Sequence, residues 1–355
     1  MKIVTIVGAR PQFIKAAPIG RALRQAGHSE FLVHTGQHYD YGMSQVFFAE
    51  LDIPEPAGNL AVGSGLHGAQ TGAMLAGIEQ VLIAQRPDWV LVYGDTNSTL
   101  AGALAAAKLH LPLAHVEAGL RSYKRTMPEE INRVLTDHVS DLLFCPSRVS
   151  VENLAREGLT RGVHVVGDVM ADALTYAVER AQSRSSILEQ LGLTPHDYLL
   201  ATVHRAENTD DPARLTGILS AFAQMDELIV FPVHPRTRAR MDALGVTVAA
   251  NVRLIAPLGY LDMVRLEQAA RLILTDSGGI QKEAYWLGVP CVTLRDETEW
   301  VETVESGWNV LAGDDPAKIV QCVRDSTPLS TRPPLYGDGQ AATRVVIALQ
   351  ETILS

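Results

Sequence analysis

Residues 272–288 read LILTDSGGIQKEAYWLG, and this stretch contains the local pattern from which the fold of the whole chain can be inferred. The run LILT (272–275), three apolar residues and a threonine, predicts a buried strand. The turn DSGG (276–279) separates this strand from a helical pattern that ends at Gly288. A strand that passes through a glycine-rich turn into a helix is the repeating unit of a parallel α/β sheet.

The same pattern recurs along the 355-residue chain, where short apolar runs rich in Val, Ile and Leu predict strands that are buried on both faces. These runs form two groups, residues 3–7, 31–34, 89–93, 113–116, 142–145 and 163–166, and residues 198–202, 228–231, 252–255, 272–275 and 291–294. Helical patterns separate most of them, so we expect an α/β fold with two doubly wound parallel sheets. Ligands of such folds bind at the carboxyl ends of the strands, here in a cleft between the two halves.

The boundary between the halves is expected between the last strand of the first group and residue 198. We assign residues 1–168 to an N-terminal domain and residues 169–340 to a C-terminal domain. An amphipathic helix at about 341–355 is a candidate for packing on the first domain.

Composition and net charge limit the classes of protein to which the chain can belong. An apolar fraction of 47% and a charged fraction of 20% are typical of a globular protein and exclude disorder. The 30 basic and 40 acidic residues give a net charge of -10, so we expect no nucleic-acid partner. A phosphorylated ligand must then be held by a few local groups that act against the overall charge.

Cysteine spacing and hydropathy exclude other classes of protein. Cys145, Cys291 and Cys322 form no CxxC pair, so we expect neither a disulfide framework nor a zinc site, and we assign no metal. The apolar run at residues 3–7 is too short for a signal peptide, and no run of about 18 apolar residues predicts a membrane span. We therefore expect no membrane partner and a cytoplasmic location.

The first loop, GARPQFIK (residues 8–15), joins the first strand to a helix and carries Arg10 and Lys15. A helix N-terminus favours an anion, and two cations there suit a phosphate group. The alternative is that both residues are solvated surface cations.

Two acidic residues follow neighbouring predicted strands. Asp95 comes directly after Gly94, which would let the backbone approach a ligand; alternatively, Asp95 or Asn97 caps the next helix. Glu117 lies among apolar and small residues, where burial would raise its pKa and suit it to proton transfer. The alternative for Glu117 is a surface acid paired with Arg121.

Further candidates begin a helix or follow a strand. Glu129 and Glu130 suit a helix start by their charge alone, and chemistry would require only one of them in the cleft. His204 and Arg205 follow a strand of the second half, where histidine is as readily structural as catalytic. His234 follows another strand and is expected in the wall of the cleft.

The turn quoted first carries the strongest single motif. Ser277, Gly278 and Gly279 would present a hydroxyl and amide groups to a diphosphate without using net positive charge. Glu283 lies about one helical turn further on and suits the two hydroxyls of a ribose. By contrast, GSGLHG (63–68) matches a nicotinamide-binding fingerprint only literally, because it follows a proline-containing loop, so we expect no nicotinamide cofactor.

These segments together resemble the non-hydrolysing UDP-N-acetylglucosamine 2-epimerases. The shared motifs lie in order between Val7 and about Gly313, and they are GARPQFIK, TGQHYD, GDTNST, HVEAGLR, MPEEINR, TVHRAEN, TDSGGIQKE and RDETEW. The resemblance implies two Rossmann-like domains of the glycosyltransferase-B type, a homodimer, and inversion of C2 of a UDP-sugar without a cofactor.

The same resemblance implies roles for individual residues. It places near UDP the residues Arg10, Lys15, Ser277, Gly278, Gly279 and, on the ribose, Glu283. It assigns catalysis and substrate contact to Asp95, Glu117, Glu129 and His204. In two places the sequence departs from the family: Trp300 stands where some members have arginine, and residues 38–41 differ from a segment linked to activation by substrate.

The implied reaction is reversible conversion of UDP-N-acetylglucosamine to UDP-N-acetylmannosamine, for surface polysaccharide precursors, by elimination of UDP to a 2-acetamidoglucal and re-addition. Asp95 and Glu117 are the candidates for proton transfer at the two faces of C2, with Glu129 in support. Three alternatives stay open: the same reaction on UDP-2,3-diacetamido-2,3-dideoxyglucuronate, hydrolysis that releases UDP, and a transferase of the same fold.

Overall fold

The computed structural model of the protein describes residues 1–37, 50 and 52–354, apart from the side chains of Arg10, Ile353 and Leu354. The chain divides into two compact units, Met1–Tyr176 with Tyr336–Ser355, and Ala177–Leu335. Among the described residues, no helix is long and apolar enough to cross a membrane.

The first unit contains a parallel sheet. Its described strands are β1 (Lys2–Val7), β2 (Ser29–His34), β3 (Gly58–Asn59), β4 (Trp89–Tyr93), β5 (Leu113–Val116), β6 (Leu142–Cys145) and β7 (Val163–Val165). Their order across the sheet is β3-β2-β1-β4-β5-β6-β7, and every pairing is parallel. The direction of winding reverses between β1 and β4, which is where ligands of doubly wound sheets bind.

Helices connect these strands. They are α1 (Arg10–Gln25), α2 (His67–Gln85), α3 (Asn97–Lys108), α4 (Pro128–Val139), α5 (Arg148–Arg156) and α6 (Val169–Arg184). All residues of β4, β5 and β6 are buried, as expected for central strands of a sheet that is covered on both faces.

The second unit repeats the architecture. Its strands are β8 (Leu199–Thr202), β9 (Ile229–Pro232), β10 (Val252–Ile255), β11 (Leu272–Thr275), β12 (Cys291–Thr293) and β13 (Asn309–Leu311). Their order is β10-β9-β8-β11-β12-β13, again parallel throughout, so the winding reverses between β8 and β11. Its helices are α7 (Ile187–Leu191), α8 (Ala206–Thr209), α9 (Pro212–Ala223), α10 (Pro235–Ala243), α11 (Tyr260–Ala269), α12 (Gly278–Leu287), α13 (Val301–Glu305) and α14 (Pro316–Asp325).

The last helix, α15 (Ala341–Leu354), belongs to the first unit. Asp172 on α6 accepts hydrogen bonds from the backbone amides of Ala341 at 3.1 Å and Ala342 at 2.9 Å, which satisfies two amides at the start of α15. Further along, Nε1 of Trp89 donates to the carbonyl oxygen of Leu349 at 3.2 Å.

The predicted α/β fold with two doubly wound parallel sheets is confirmed. The predicted strands agree with the observed ones within two residues at either end. The short strands β3 and β13 and the helix α2 were not predicted. For β3 the reason is physical, because Gly58–Asn59 offers no apolar run and pairs only at the edge of the sheet.

Candidate active site

The first unit brings two of the predicted acids to the carboxyl edge of its sheet. Asp95 follows β4 and Glu117 follows β5, and these strands are neighbours. Gly94 adopts a φ of 64°, and a Cβ built on it would lie 3.3 Å from Oε2 of Glu117. The close approach of this backbone to Glu117 therefore favours glycine at position 94.

The carboxylate of Glu117 accepts a hydrogen bond from Nζ of Lys15 on α1, and both side chains are mostly buried. Burial by itself lowers the pKa of Lys15, but the charge of Glu117 and its hydrogen bond contribute to a net increase. Lys15 is therefore held as an ammonium ion against Glu117. Arg121, the partner considered from sequence, contacts Asp137 and Glu157.

The first loop is closed by Gln12 at the start of α1. Oε1 of Gln12 accepts hydrogen bonds from the amides of Gly8 at 2.8 Å and Ala9 at 3.0 Å. These two amides are thereby satisfied within the protein. The side chain of Arg10, predicted near the phosphates, and residues 38–41 lie outside the part of the chain that the structure describes.

Asp95 pairs with Arg133 on α4, and its side chain is 32% exposed. Nδ2 of Asn132, next to Arg133, donates to the backbone carbonyl of Asp95 at 2.9 Å. The N-cap of α3 is Thr96, whose hydroxyl accepts a hydrogen bond from an amide in the first turn at 3.3 Å. The alternative that Asp95 or Asn97 caps this helix is therefore wrong.

The two acids at the start of α4 differ in their surroundings. Glu130 is buried and accepts hydrogen bonds from the amides of Ser122 and Tyr123, both at 2.9 Å. Nη1 of Arg133 lies 3.1 Å from the same carboxylate. Burial raises the pKa of Glu130, but these bonds outweigh it and the pKa is lowered. Glu129, the acid preferred from sequence, is exposed.

Asp276 directly follows β11 and binds the segment that follows β8. The winding of the second sheet reverses between these two strands. It is fully buried, and its carboxylate accepts hydrogen bonds from the amides of His204 and Arg205, each at 3.0 Å, and from Nδ2 of Asn208 at 3.1 Å. The side chain of His204 is 44% exposed, with Nδ1 3.4 Å from Oδ1 of Asp276. Asp276 is the first residue of the turn DSGG (276–279), but no role was predicted for it from the sequence.

The Ser-Gly-Gly turn begins α12. Ser277 is the N-cap, and its Oγ accepts from the amide of Ile280 at 3.5 Å. A Cβ on Gly278 would lie 3.1 Å from Nε1 of Trp300, whereas the nearest atom to a Cβ on Gly279 is 3.8 Å away. Close packing thus restricts position 278 more than 279. The first amides of a helix have no partner within it, which suits an anion at this turn.

Glu283 lies further along α12 and is buried. Its Oε1 accepts a hydrogen bond from the hydroxyl of Tyr260 at 2.8 Å. A second buried carboxyl group, Glu267 on α11, was not identified from sequence. Burial, and then the negative charge of Glu283, raise the pKa of Glu267 well above its ordinary value, which favours the protonated form.

Lys282 lies beside Trp300, the tryptophan that stands where some members of the family have arginine. Lys282 is buried, and its Nζ is 3.8 Å from the ring centroid of Trp300 and 5.6 Å from that of Trp286. These are distances of cation–π contacts. Lys282 was not predicted as a site residue, because its contact with Trp300 joins residues that are distant in the chain.

Comparisons with known proteins show the family to which the chain belongs. The sequence profile of the family described as UDP-N-acetylglucosamine 2-epimerase matches residues 21–350. A Methanococcus maripaludis protein named UDP-N-acetylglucosamine 2-epimerase homolog is 53% identical over 99% of both chains. A UDP-2,3-diacetamido-2,3-dideoxy-D-glucuronate 2-epimerase of Pseudomonas aeruginosa is 52% identical over 97% of this chain and 98% of that one.

A solved structure is similar over its whole length. The crystal structure of Methanocaldococcus jannaschii UDP-GlcNAc 2-epimerase in complex with UDP-GlcNAc and UDP matches with a TM-score of 0.88 and 44% sequence identity. The match covers 99% of this chain and 100% of that chain.

Proposed function

Because the chain belongs to the UDP-N-acetylglucosamine 2-epimerase family, we propose that it interconverts UDP-N-acetylglucosamine and UDP-N-acetylmannosamine by inverting C2. The observation that carries this proposal is the pair of carboxylates, Asp95 and Glu117, at the ends of neighbouring strands, each beside a basic partner. The proposed elimination and re-addition need no redox cofactor, because no step transfers a hydride.

The chemistry of C2 requires such carboxylates. The proton on C2 is only weakly acidic, but UDP on C1 is a good leaving group. A carboxylate takes the C2 proton, the electrons of the C2–H bond form the C1=C2 double bond, and UDP leaves with the electrons of the C1–O bond. Return of a proton to the opposite face of C2 and of the UDP oxygen to C1 completes the inversion.

Two faces of C2 require two proton-transfer groups or one that moves. We assign these roles to Asp95 and Glu117, with Glu129 in support. Lys15 and Arg133 place a positive charge beside Glu117 and Asp95, respectively. Which acid serves which face can be assigned by comparing single variants.

The nucleotide is assigned to α12 of the second unit. The amides and hydroxyl of the turn at 277–279 would hold the diphosphate, and the buried carboxylate of Glu283 would accept from the ribose hydroxyls. Arg10, Lys15 and His204 would balance the charge of the departing diphosphate. Helix amides need no net positive charge, so a chain of net charge -10 can hold this ligand.

A second substrate is favoured by one specific observation. The Pseudomonas aeruginosa relative named for the diacetamido-glucuronate is 52% identical, close to the value for the first relative. The chemistry at C1 and C2 is the same for both sugars, so the residues proposed here would serve either.

Proton NMR in deuterium oxide tests the proposal. With UDP-N-acetylglucosamine alone, we expect deuterium at C2 and a mixture of the two UDP-linked epimers. Turnover of only the diacetamido-glucuronate would transfer the assignment to that sugar. Release of free N-acetylmannosamine would indicate hydrolysis, and transfer of the intact sugar to an acceptor would indicate a transferase.

We further propose that the protein acts as a cytoplasmic homodimer that supplies precursors of surface polysaccharides. Relatives of this family over the full length of the chain support the activity on which this role depends. Light scattering is expected to give the mass of two chains, and the mass of one chain at micromolar concentration would contradict the dimer.

A further inference from the structure

His115 is a fully buried residue of the first unit that the proposed mechanism does not use. It lies on β5, two residues before Glu117. Its Nδ1 is 2.7 Å from Oδ1 of Asp137 on α4, and its Nε2 is 2.7 Å from the carbonyl oxygen of Gly94. Both distances are those of short hydrogen bonds.

The two partners decide how the ring is protonated. The carbonyl oxygen of Gly94 can only accept a hydrogen bond. The carboxylate of Asp137 also accepts from Nη1 of Arg121 at 2.7 Å and from the amide of Gly119 at 3.2 Å. Burial alone would raise the pKa of Asp137, but His115 and Arg121 outweigh burial and lower it. Apart from His115, the guanidinium of Arg121 and the amide of Gly119 both donate to Oδ2 of Asp137, as they would to a carboxylate.

A neutral imidazole has one N–H group and cannot donate to two acceptors. Hydrogen bonds to both acceptors, the carboxylate of Asp137 and the carbonyl oxygen of Gly94, would therefore require a proton on each ring nitrogen of His115.

The residues near His115 carry charges of both signs. Arg121 also pairs with Glu157, with Nε 2.7 Å from Oε1 and Nη2 2.8 Å from Oε2. Burial raises the pKa of the nearby Cys145 thiol to about 12, so that group stays neutral. One cation, Arg121, and two carboxylates, Asp137 and Glu157, thus lie near His115, so that a second proton on its ring would be paired with opposite charge.

The network supports both backbone segments that carry the proposed acids. Gly94 directly precedes Asp95, and Gly119 follows Glu117 by two residues. The φ angles of Gly94, 64°, and Glu117, 72°, lie in the left-handed region, which is unfavourable for a residue other than glycine. Such a conformation persists only where its surroundings hold it.

We propose that His115 is a positioning residue, a buried imidazolium held by Asp137 that fixes the backbone at Gly94 and so the relative placement of Asp95 and Glu117. This inference rests on the proposed function, because it concerns the two acids to which proton transfer is assigned. Loss of the network is expected to slow proton transfer while UDP binding changes little, because the turn at 277–279 and Glu283, to which the diphosphate and ribose contacts are assigned, lie in the second unit.

The first test measures protonation directly and needs no substrate. In protein labelled with ¹⁵N-histidine at pH 7, we expect both ring nitrogens of His115 to show the shifts and N–H couplings of imidazolium. The His115→Gln spectrum identifies the signals by their loss. In Asp137→Asn, one ring nitrogen is expected to lose its proton. A neutral imidazole in the unaltered protein would overturn the proposal, whatever the fate of the variants.

The second test measures function. For His115→Gln and Asp137→Asn, we expect kcat for deuterium exchange at C2 to fall about 10²-fold, as for a misplacement near 1 Å, with the Kd of UDP within about twofold. His110→Asn is the control, since His110 follows α3 in the first unit, is exposed and takes no part in the hydrogen bonds described above.

Three results of the second test are decisive. A kcat near that of the unaltered protein in both variants would overturn the positioning role. A matching loss of UDP affinity would do so as well, because it would indicate general damage. No exchange with any UDP-sugar in the unaltered protein would instead refute the proposed function, and the NMR test would still decide the state of His115.

Discussion

Asp276 offers a stringent test of the second unit. Its carboxylate is the acceptor for three donors of the segment after β8, the amides of His204 and Arg205 and Nδ2 of Asn208. Replacement of Asp276 by Ala removes all three bonds at once. Replacement by Asn keeps one oxygen, which at the position of Oδ2 can still accept from all three donors.

The magnitude follows from the number of donors left without an acceptor. An unsatisfied buried donor costs about 1–3 kcal/mol, so the two amides together cost about 2–6 kcal/mol. Asn208 retains its bond to the carbonyl of Leu294 at 2.9 Å. Since His204 is 44% exposed, water can reach part of the segment, and we expect about 2–4 kcal/mol for Asp276→Ala and about 1 kcal/mol for Asp276→Asn.

Urea unfolding followed by circular dichroism measures both values from the midpoint and the slope. Asp226→Ala, at an exposed site of the same unit, is the control and is expected to change stability by less than about 0.5 kcal/mol. The reasoning is refuted if Asp276→Ala is as stable as the control, or if Asn is as destabilising as Ala.

Three further predictions concern other buried groups. The pKa of Glu267 is raised well above the ordinary value of 4.5. Above pH 4.5 this group is therefore ionised in the unfolded chain but still protonated in the folded protein. The free energy of unfolding then falls by about 1.4 kcal/mol per pH unit until the folded group ionises as well. Glu267→Gln should therefore be more stable than the unaltered protein at pH 7 and equal to it near pH 4; urea unfolding that finds the same difference at both pH values contradicts this. Gly94→Ala should lower kcat and cost about 1–2 kcal/mol, because its φ is 64° and the new Cβ would lie 3.3 Å from Glu117, and unchanged exchange kinetics would show that the approach is not tight. Cys145 should resist iodoacetamide at pH 8, since burial raises its pKa to about 12, and mass spectrometry that finds rapid alkylation of the folded protein would disprove it.

Local sequence patterns were sufficient to predict both sheets. Apolar runs, glycine turns and helix starts are set by neighbours within a few residues, and β4, β5 and β11 therefore lie where the runs predicted them. The same local patterns placed Asp95 and Glu117 at strand ends, which the parallel topology brings to one edge.

The partners of the site residues could not be predicted in this way. Arg133 lies 38 positions from Asp95, and Lys15 lies 102 positions from Glu117. Such pairings depend on which strands become neighbours, and a local pattern carries no such information. The cap of α3, Thr96, was not predicted for a different reason. Asp95, Thr96 and Asn97 are adjacent, and all three residue types are suitable N-caps.

The central claim is that carboxylates of the first unit exchange the C2 proton while the second unit holds UDP. The most direct measurement is the rate of deuterium incorporation at C2 of UDP-N-acetylglucosamine in Asp95→Asn and Glu117→Gln, with Glu152→Gln as an exposed control. We predict a fall of at least about 10²-fold in each site variant, with the Kd of UDP unchanged by calorimetry. Exchange at the normal rate in both site variants would contradict the account.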